Sequence, residues 1–264
     1  MQVKIIADSI SPSGVRLTTF QLKYPRFIHS ELMTHRLFSR NASSSRAIPV
    51  MTMLKQVWND PATPVSWGKN KSGMQAETEL QGASRWFAKK LWSLSGKVAC
   101  VFAYAMTKVG LHKQVANRIL EPWQYIHVVL SATEFDNFFK LRNHPDAQPE
   151  IQELAKEMQR QYNDAAIHKL DVGEWHLPYI QESEKNLPLE TLKKVSAARC
   201  CRVSYLKHDG HESTIEEDVK LHDRLVNAVP PHMSPVEHQA MCTKLRGFQG
   251  NFRQWKQYRK FLES

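Results

Sequence analysis

The stretch His35-Arg36-Leu37-Phe38-Ser39-Arg40-Asn41-Ala42-Ser43-Ser44-Ser45-Arg46 decides how the rest of the chain is read. It sets His35 and Arg36, at the end of a helical pattern, against a polar stretch dense in short side chains. Hydroxyls, an amide and guanidiniums crowded together can coordinate a phosphate many times over, arginine in bidentate fashion. A Ser-rich turn with solvated arginines is the alternative, and these residues alone leave both open.

Upstream, Gln2 to Ile6 alternates and is β-branched, which predicts a strand. Ser9 to Gly14 reads as a turn, and Leu17 to Leu22 as a second strand stopped by Pro25. Phe27, Ile28, Leu32, Met33 and Leu37 then fit one face of a helix over Phe27 to Phe38, with His29, Glu31, His35 and Arg36 opposite.

Downstream, residues 55–76 are rich in Pro, Gly, Asn and Trp and read as a long loop. Helical periodicity runs from Glu77 to Val109, with Gly110 as the C-terminal cap, and again from Lys113 to Leu120 before Pro122. Thr133 is expected to open a third helix, and Pro149 a long amphipathic one reaching Tyr162. Ser213-Thr214-Ile215-Glu216 reads as a capping box for a helix through Val226. The expected class is mixed α/β with helix dominant, a single domain over residues 1–264 with a possible boundary near 170–195.

The 264 residues carry 36 Lys+Arg against 26 Asp+Glu, a net charge of +10. With 42% hydrophobic and 23% charged residues, the chain is neither disordered nor a fibrous repeat. A pI near 9.4 implies an anionic partner. The basic residues form no run, so anion pockets or a solvated basic surface are expected rather than a nucleic-acid-binding tail. The longest apolar run, Val98 to Met106, is nine residues, too short for a bilayer. The N-terminus lacks signal-peptide features, so a cytoplasmic location is expected. Cys100, Cys200, Cys201 and Cys242 form neither a CxxC pair nor a zinc pattern, and are expected to be reduced, buried thiols. No GxGxxG, complete P-loop or GxSxG occurs.

The opening stretch resembles the signature of the flavin-dependent thymidylate synthases, the ThyX family. His35, Arg36, Ser39, Asn41, Ser44 and Arg46 fall on matching positions, whereas Thr34 and Ala42 stand where that signature has Arg and Glu. Further similar blocks are His112-Lys113-Gln114 through Asn117-Arg118, and Asn137-Phe138 through Leu141-Arg142 to Ala147-Gln148-Pro149-Glu150-Ile151. Cys201-Arg202-Val203-Ser204-Tyr205 and His232-Met233-Ser234-Pro235-Val236-Glu237-His238 resemble the family's N-terminal region, here at the C-terminal end. Arg253-Gln254-Trp255-Lys256-Gln257-Tyr258-Arg259 resembles a degraded second copy of the signature helix. A circular permutation is the simplest reading.

The resemblance implies a central antiparallel or mixed sheet flanked by long helices. It implies C5 methylation of dUMP to dTMP with FAD, NADPH and 5,10-methylenetetrahydrofolate, in a homotetramer with sites between subunits. Arg142 takes the base-polarising, catalytic position. His35, Arg36, Asn137, Ser204, His232 and Ser234 take flavin-binding positions. Arg118, Ser44, Arg46, Arg142, Glu31 and Gln254 take nucleotide-binding positions, with Gln254 restoring the amide that Glu31 replaces. Glu31 would repel a phosphate unless protonated or turned away. No metal, membrane or nucleic acid is expected. The departures at Thr34, Ala42 and Glu31 leave open hydroxymethylation or another C5 modification of dUMP or dCMP. Ser131 and Thr133, where two flavin contacts are expected, leave open a non-catalytic nucleotide-binding relative.

Overall fold

The computed structural model describes residues 1–205 and 213–263, without the side chains of Ser204 and Tyr205. In chain order its elements are β1 (Gln2–Ile10), β2 (Arg16–Pro25), α1 (His29–Met33), β3 (Ser39–Ala42), α2 (Val50–Asn59), α3 (Gly82–Lys108) and α4 (Lys113–Ala116). There follow β4 (Tyr125–Ala132), α5 (Asp136–Arg142), α6 (Pro149–Asp164), β5 (His168–Lys169), β6 (Trp175–His176), α7 (Leu189–Tyr205), α8 (Ile215–Val226), β7 (Ala240–Cys242), β8 (Trp255–Gln257) and α9 (Arg259–Leu262).

A mixed five-stranded sheet in the order β3-β4-β2-β1-β5 forms the centre, antiparallel except where β5 pairs with β1. Its two faces follow from the two-residue period of β2 and β4. Phe20, Leu22 and Tyr24 with Ile126, Val128 and Leu130 cover one face and pack with Phe138, Ile151, Leu154 and Met158 of α5 and α6. The other face is polar where strands cross: Ser39 and Thr19 both stand in register with Ser131, making a row of hydroxyls over three strands.

The C-terminal third is fastened to that polar row. Gln257 Nε2 donates to Ser39 Oγ at 2.8 Å, and Asn251 Nδ2 donates to the same hydroxyl at 3.2 Å. Ser131 is linked to His238 Nδ1 at 2.9 Å and to Thr19 at 2.6 Å, and Thr19 to His176 Nε2 at 2.8 Å. The other nitrogen of His176 meets Ser9 at 2.8 Å. All of these groups are buried except the half-buried Asn251, and burial pushes both histidines down to about 3. Asn41 Nδ2 donates to the Cys200 carbonyl of α7. A small antiparallel sheet, β6-β7-β8, completes this layer. The α7–α8 pair is clasped by Asp218, fully buried between Arg199 and Arg202 at 3.0 and 2.7 Å.

Several sequence expectations need correction. The helix expected over Phe27 to Phe38 is a 3-10 turn (Arg26–Ile28) followed by the short α1, because Arg40 Nη1 takes the carbonyls of Leu32 and His35. The C-terminal copy of the signature is not a helix: Trp255 to Gln257 is strand β8, pairing with β7. The loop expected over 55–76 begins only after α2 ends at Asn59. The helix at Lys113 gives way after Ala116 to a 3-10 turn (Asn117–Trp123) that contains Pro122, whose missing N–H and ring would interrupt a continued α-helix. Thr133 caps nothing, its hydroxyl accepting from the Arg253 N–H, and α5 starts at Asp136. The capping box of α8 is Thr214 with Glu217, one residue later than expected. All four cysteines are free and buried, as expected. Among the described residues no helix is long and apolar enough to cross a membrane.

Candidate active site

α1 and the end of α5 bring together the residues that hold Arg142. Its Nε donates to His35 Nε2 at 3.0 Å, one Nη1 hydrogen goes to Glu31 Oε2 at 3.1 Å, and Nη2 donates to Thr34 Oγ1 at 3.1 Å. Three contacts on one guanidinium fix its plane. The His35 ring stacks on Phe38 and meets Phe138 edge-on at 4.9 Å, so α5 both supplies Arg142 and walls its partner. Burial pushes His35 down to about 4, and the cations Arg142 and Arg40 add to the effect. The imidazole is therefore neutral, and accepting from Arg142 fixes its lone pair on Nε2 and its hydrogen on Nδ1.

Arg142 and Glu31 line a cavity of about 950 Å³, closed by Phe27, Trp92, the 64–77 loop and the start of α6. Arg118 lines a second cavity of about 480 Å³ with Arg26, His29 and Ser30, and Phe27 is common to both. There Glu121 gathers Arg26 at 3.2 Å, Arg118 at 2.8 Å and the Ser45 hydroxyl at 2.7 Å. Glu31 faces the Arg142 cavity, not that of Arg118, so its carboxylate is turned away from the cavity expected to hold phosphate.

The other expected positions fall in three groups. Arg36 and Asn137 are exposed chain neighbours of the His35–Phe138 contact. Ser44, half-buried, and Arg46, exposed, follow β3 on the segment that Asn117 and Lys113 hold through the carbonyls of Ser45, Ile48 and Ala47. Ser234 Oγ donates to Asn41 Oδ1 at 3.3 Å, and His232 is exposed two residues earlier. Ser204 lies, by its side chain, outside the described residues.

Gln254 is not brought to either cavity. Its side chain accepts from the Ser13 hydroxyl, and its backbone (φ 63°) is tied to Gly247 and Thr243. It does not stand in for the amide missing at Glu31 within one chain. The residue from this segment that does reach the signature is Gln257, through Ser39; its glutamine spacing from Arg253 carried no hint of which of the two would point inward. Sequence reasoning also missed Phe27, the shared wall, because it read as one more core position.

A family model described as thymidylate synthase complementing protein matches residues 11–166, more than half of the chain and all of both cavities. The chain belongs to that family. His232, Ser234 and Gln254 lie beyond the matched residues. No curated protein matches the chain. Among solved structures it is similar to the UMP/dUMP methylase PolB from Streptomyces cacaoi bound with 5-Br dUMP, at 19% identity, 56% of this chain, 66% of that one and a TM-score of 0.45. The same protein bound with 5-Br UMP is similar at 17% identity, over 62% of this chain and 88% of that one, with a TM-score of 0.49.

Proposed function

We propose that the chain is a flavin-dependent C5-methyltransferase converting dUMP to dTMP, with FAD, NADPH and 5,10-methylenetetrahydrofolate. The observation that carries this reading is Arg142, fixed by three side chains at a cavity of about 950 Å³ inside the family-matched region. A uracil ring is a weak carbon nucleophile. A preoriented guanidinium would stabilise negative charge on its carbonyl and N3 and so make C5 electron-rich before it attacks. Arg118 would grip the phosphate in the adjoining cavity and hold the base in register with Arg142, a role proposed also for Ser44 and Arg46, which line neither cavity of their own chain.

His35, Arg36 and Asn137, beside the Arg142 cluster, offer donors that suit a flavin, as do His232, Ser234 and Ser204 from the C-terminal third. When bound, the flavin supplies the electrons and folate the carbon. The C-terminal third is read as the family's N-terminal region in permuted order, which the hold of Gln257, Asn251 and Ser234 on the signature residues Ser39 and Asn41 supports. A homotetramer with shared sites is proposed, because His232 lines neither cavity of its own chain. The proposed location is the cytoplasm.

Glu31 favours one second reading. Its carboxylate neutralises the guanidinium that should polarise uracil, which suits hydroxymethylation or another C5 modification of dUMP or dCMP. Incubation with FAD, NADPH and methylenetetrahydrofolate, first with dUMP and then with dCMP, followed by mass spectrometry of the nucleotide, decides. Methylated dUMP supports the first reading. A hydroxymethylated product, or modification of dCMP alone, rejects it for the second, and absence of any product with no uptake of FAD rejects both.

A further inference from the structure

Among the described residues, Phe27 alone lines both the Arg142 cavity and the Arg118 cavity. It sits half-buried in the middle of the 3-10 turn Arg26–Ile28, with Arg26 facing the Arg118 cavity and Glu31 of α1 facing the other. Its ring is braced. It meets Trp92 of α3 edge-on, the ring centroids 6.1 Å apart. Trp92 is fixed in turn by its indole N–H, which donates to the Ala62 carbonyl at 2.9 Å, and by the rings of Trp67 and Trp123 at 6.4 and 5.9 Å. The Trp92 N–H is thus spent inside the fold, and the Phe27 side chain has no polar atom to offer. The partition between the two cavities is an apolar ring held by a second one.

We propose that Phe27 is the sugar wall of the nucleotide site and selects 2′-deoxyribose over ribose, an inference that rests on the dUMP reading above. In a nucleotide the sugar is the part that joins phosphate to base. With the phosphate at Arg118 and the base at Arg142, the sugar passes the residue common to both cavities. The polar groups beside that ring are already engaged. His29 Nδ1 meets the Tyr24 hydroxyl at 2.7 Å, and Glu121 holds Arg26 and Arg118 at 3.2 and 2.8 Å. Ser30, exposed in the wall of the Arg118 cavity, has a hydroxyl to pair with the one secondary hydroxyl of deoxyribose. A ribonucleotide brings a second, which against Phe27 gives up its water and gains no partner. An apolar wall rejects an added hydroxyl only to a limited degree, so the expected preference is roughly 10–100-fold.

Calorimetric titration of the FAD-loaded protein with dUMP and with UMP is the test. The wild type is expected to bind dUMP roughly 10–100-fold more tightly than UMP. Phe27→Ala opens the wall to water and should bring the two affinities nearly level. Should that variant fail to fold, Phe27→His serves instead: it keeps a flat ring against Trp92 and offers a nitrogen to the 2′-hydroxyl, so UMP should tighten relative to dUMP. A merely structural role would weaken both nucleotides together and leave their ratio alone, so an unchanged ratio in a folded variant overturns the proposal. A wild type that binds UMP as tightly as dUMP also overturns it, while leaving the roles of Arg142 and Arg118 standing. A wild type that binds neither nucleotide overturns the dUMP reading and this proposal with it.

Discussion

Thr19 holds the middle of the buried hydroxyl–imidazole chain, with Ser131 on one side and His176 on the other. Thr19→Val keeps the shape and removes both hydrogen bonds, leaving the buried His176 Nε2 unpaired and Ser131 with His238 alone. The expected loss is about 1–3 kcal/mol of stability, read by urea unfolding. Glu31 sets the charge of Arg142. Glu31→Gln keeps the side chain's size and frees the guanidinium, so dUMP should bind roughly 2–5-fold more tightly by calorimetry, the range of a partly exposed ion pair. Weaker binding would mean that the carboxylate itself holds the nucleotide.

Among the elements, β1 and β2 were legible because alternation and β-branching agree over Gln2–Ile6 and Leu17–Leu22. β4 was not, since Ile126 to Ala132 is covered on both faces and runs almost continuously apolar, a pattern that strands share with buried helices. The signature helix was overdrawn for a tertiary reason: Arg40, eight residues beyond Leu32, takes the carbonyls that a longer α1 would use. Arg142, Glu31 and His35 were individually legible, but their convergence on one guanidinium depends on α5 lying against α1, which spacing does not encode. The placement of β8 rests on a tight turn. Gly250 has φ 89°, and a Cβ there would fall 2.0 Å from Gln257 Oε1. Gly250→Ala should therefore cost about 1–3 kcal/mol and loosen the C-terminal layer, visible as faster amide exchange in β7 and β8. Asp218→Ala, leaving Arg202 without its buried partner, should cost about 3–5 kcal/mol and separate α7 from α8.

Among the described residues burial lowers six imidazoles, His127 and His222 together with His29 and His35 at about 4 and His176 and His238 at about 3. In the unfolded chain each takes up its proton near the ordinary value of 6.5. The unfolded state thus binds more protons below 6.5, and stability complete above that pH is lost as the pH falls toward 4 and then 3. Tm should drop steadily over that window, and a Tm unchanged between 6.5 and about 4 would show that these sites admit water. The molecule is otherwise organised around one sheet with an apolar face for its core and a polar face that binds the C-terminal third. The cavities of Arg142 and Arg118 open beside α1, at the edge of that arrangement.

The central claim is that Arg142 holds a pyrimidine nucleotide against a flavin. The visible absorption spectrum of the FAD-loaded protein, titrated with dUMP and compared with Arg142→Ala, tests it most directly. The account predicts a flavin band in both proteins, perturbed saturably by dUMP in the wild type and unmoved in the variant. A colourless protein after loading, or the same perturbation in both, would contradict it.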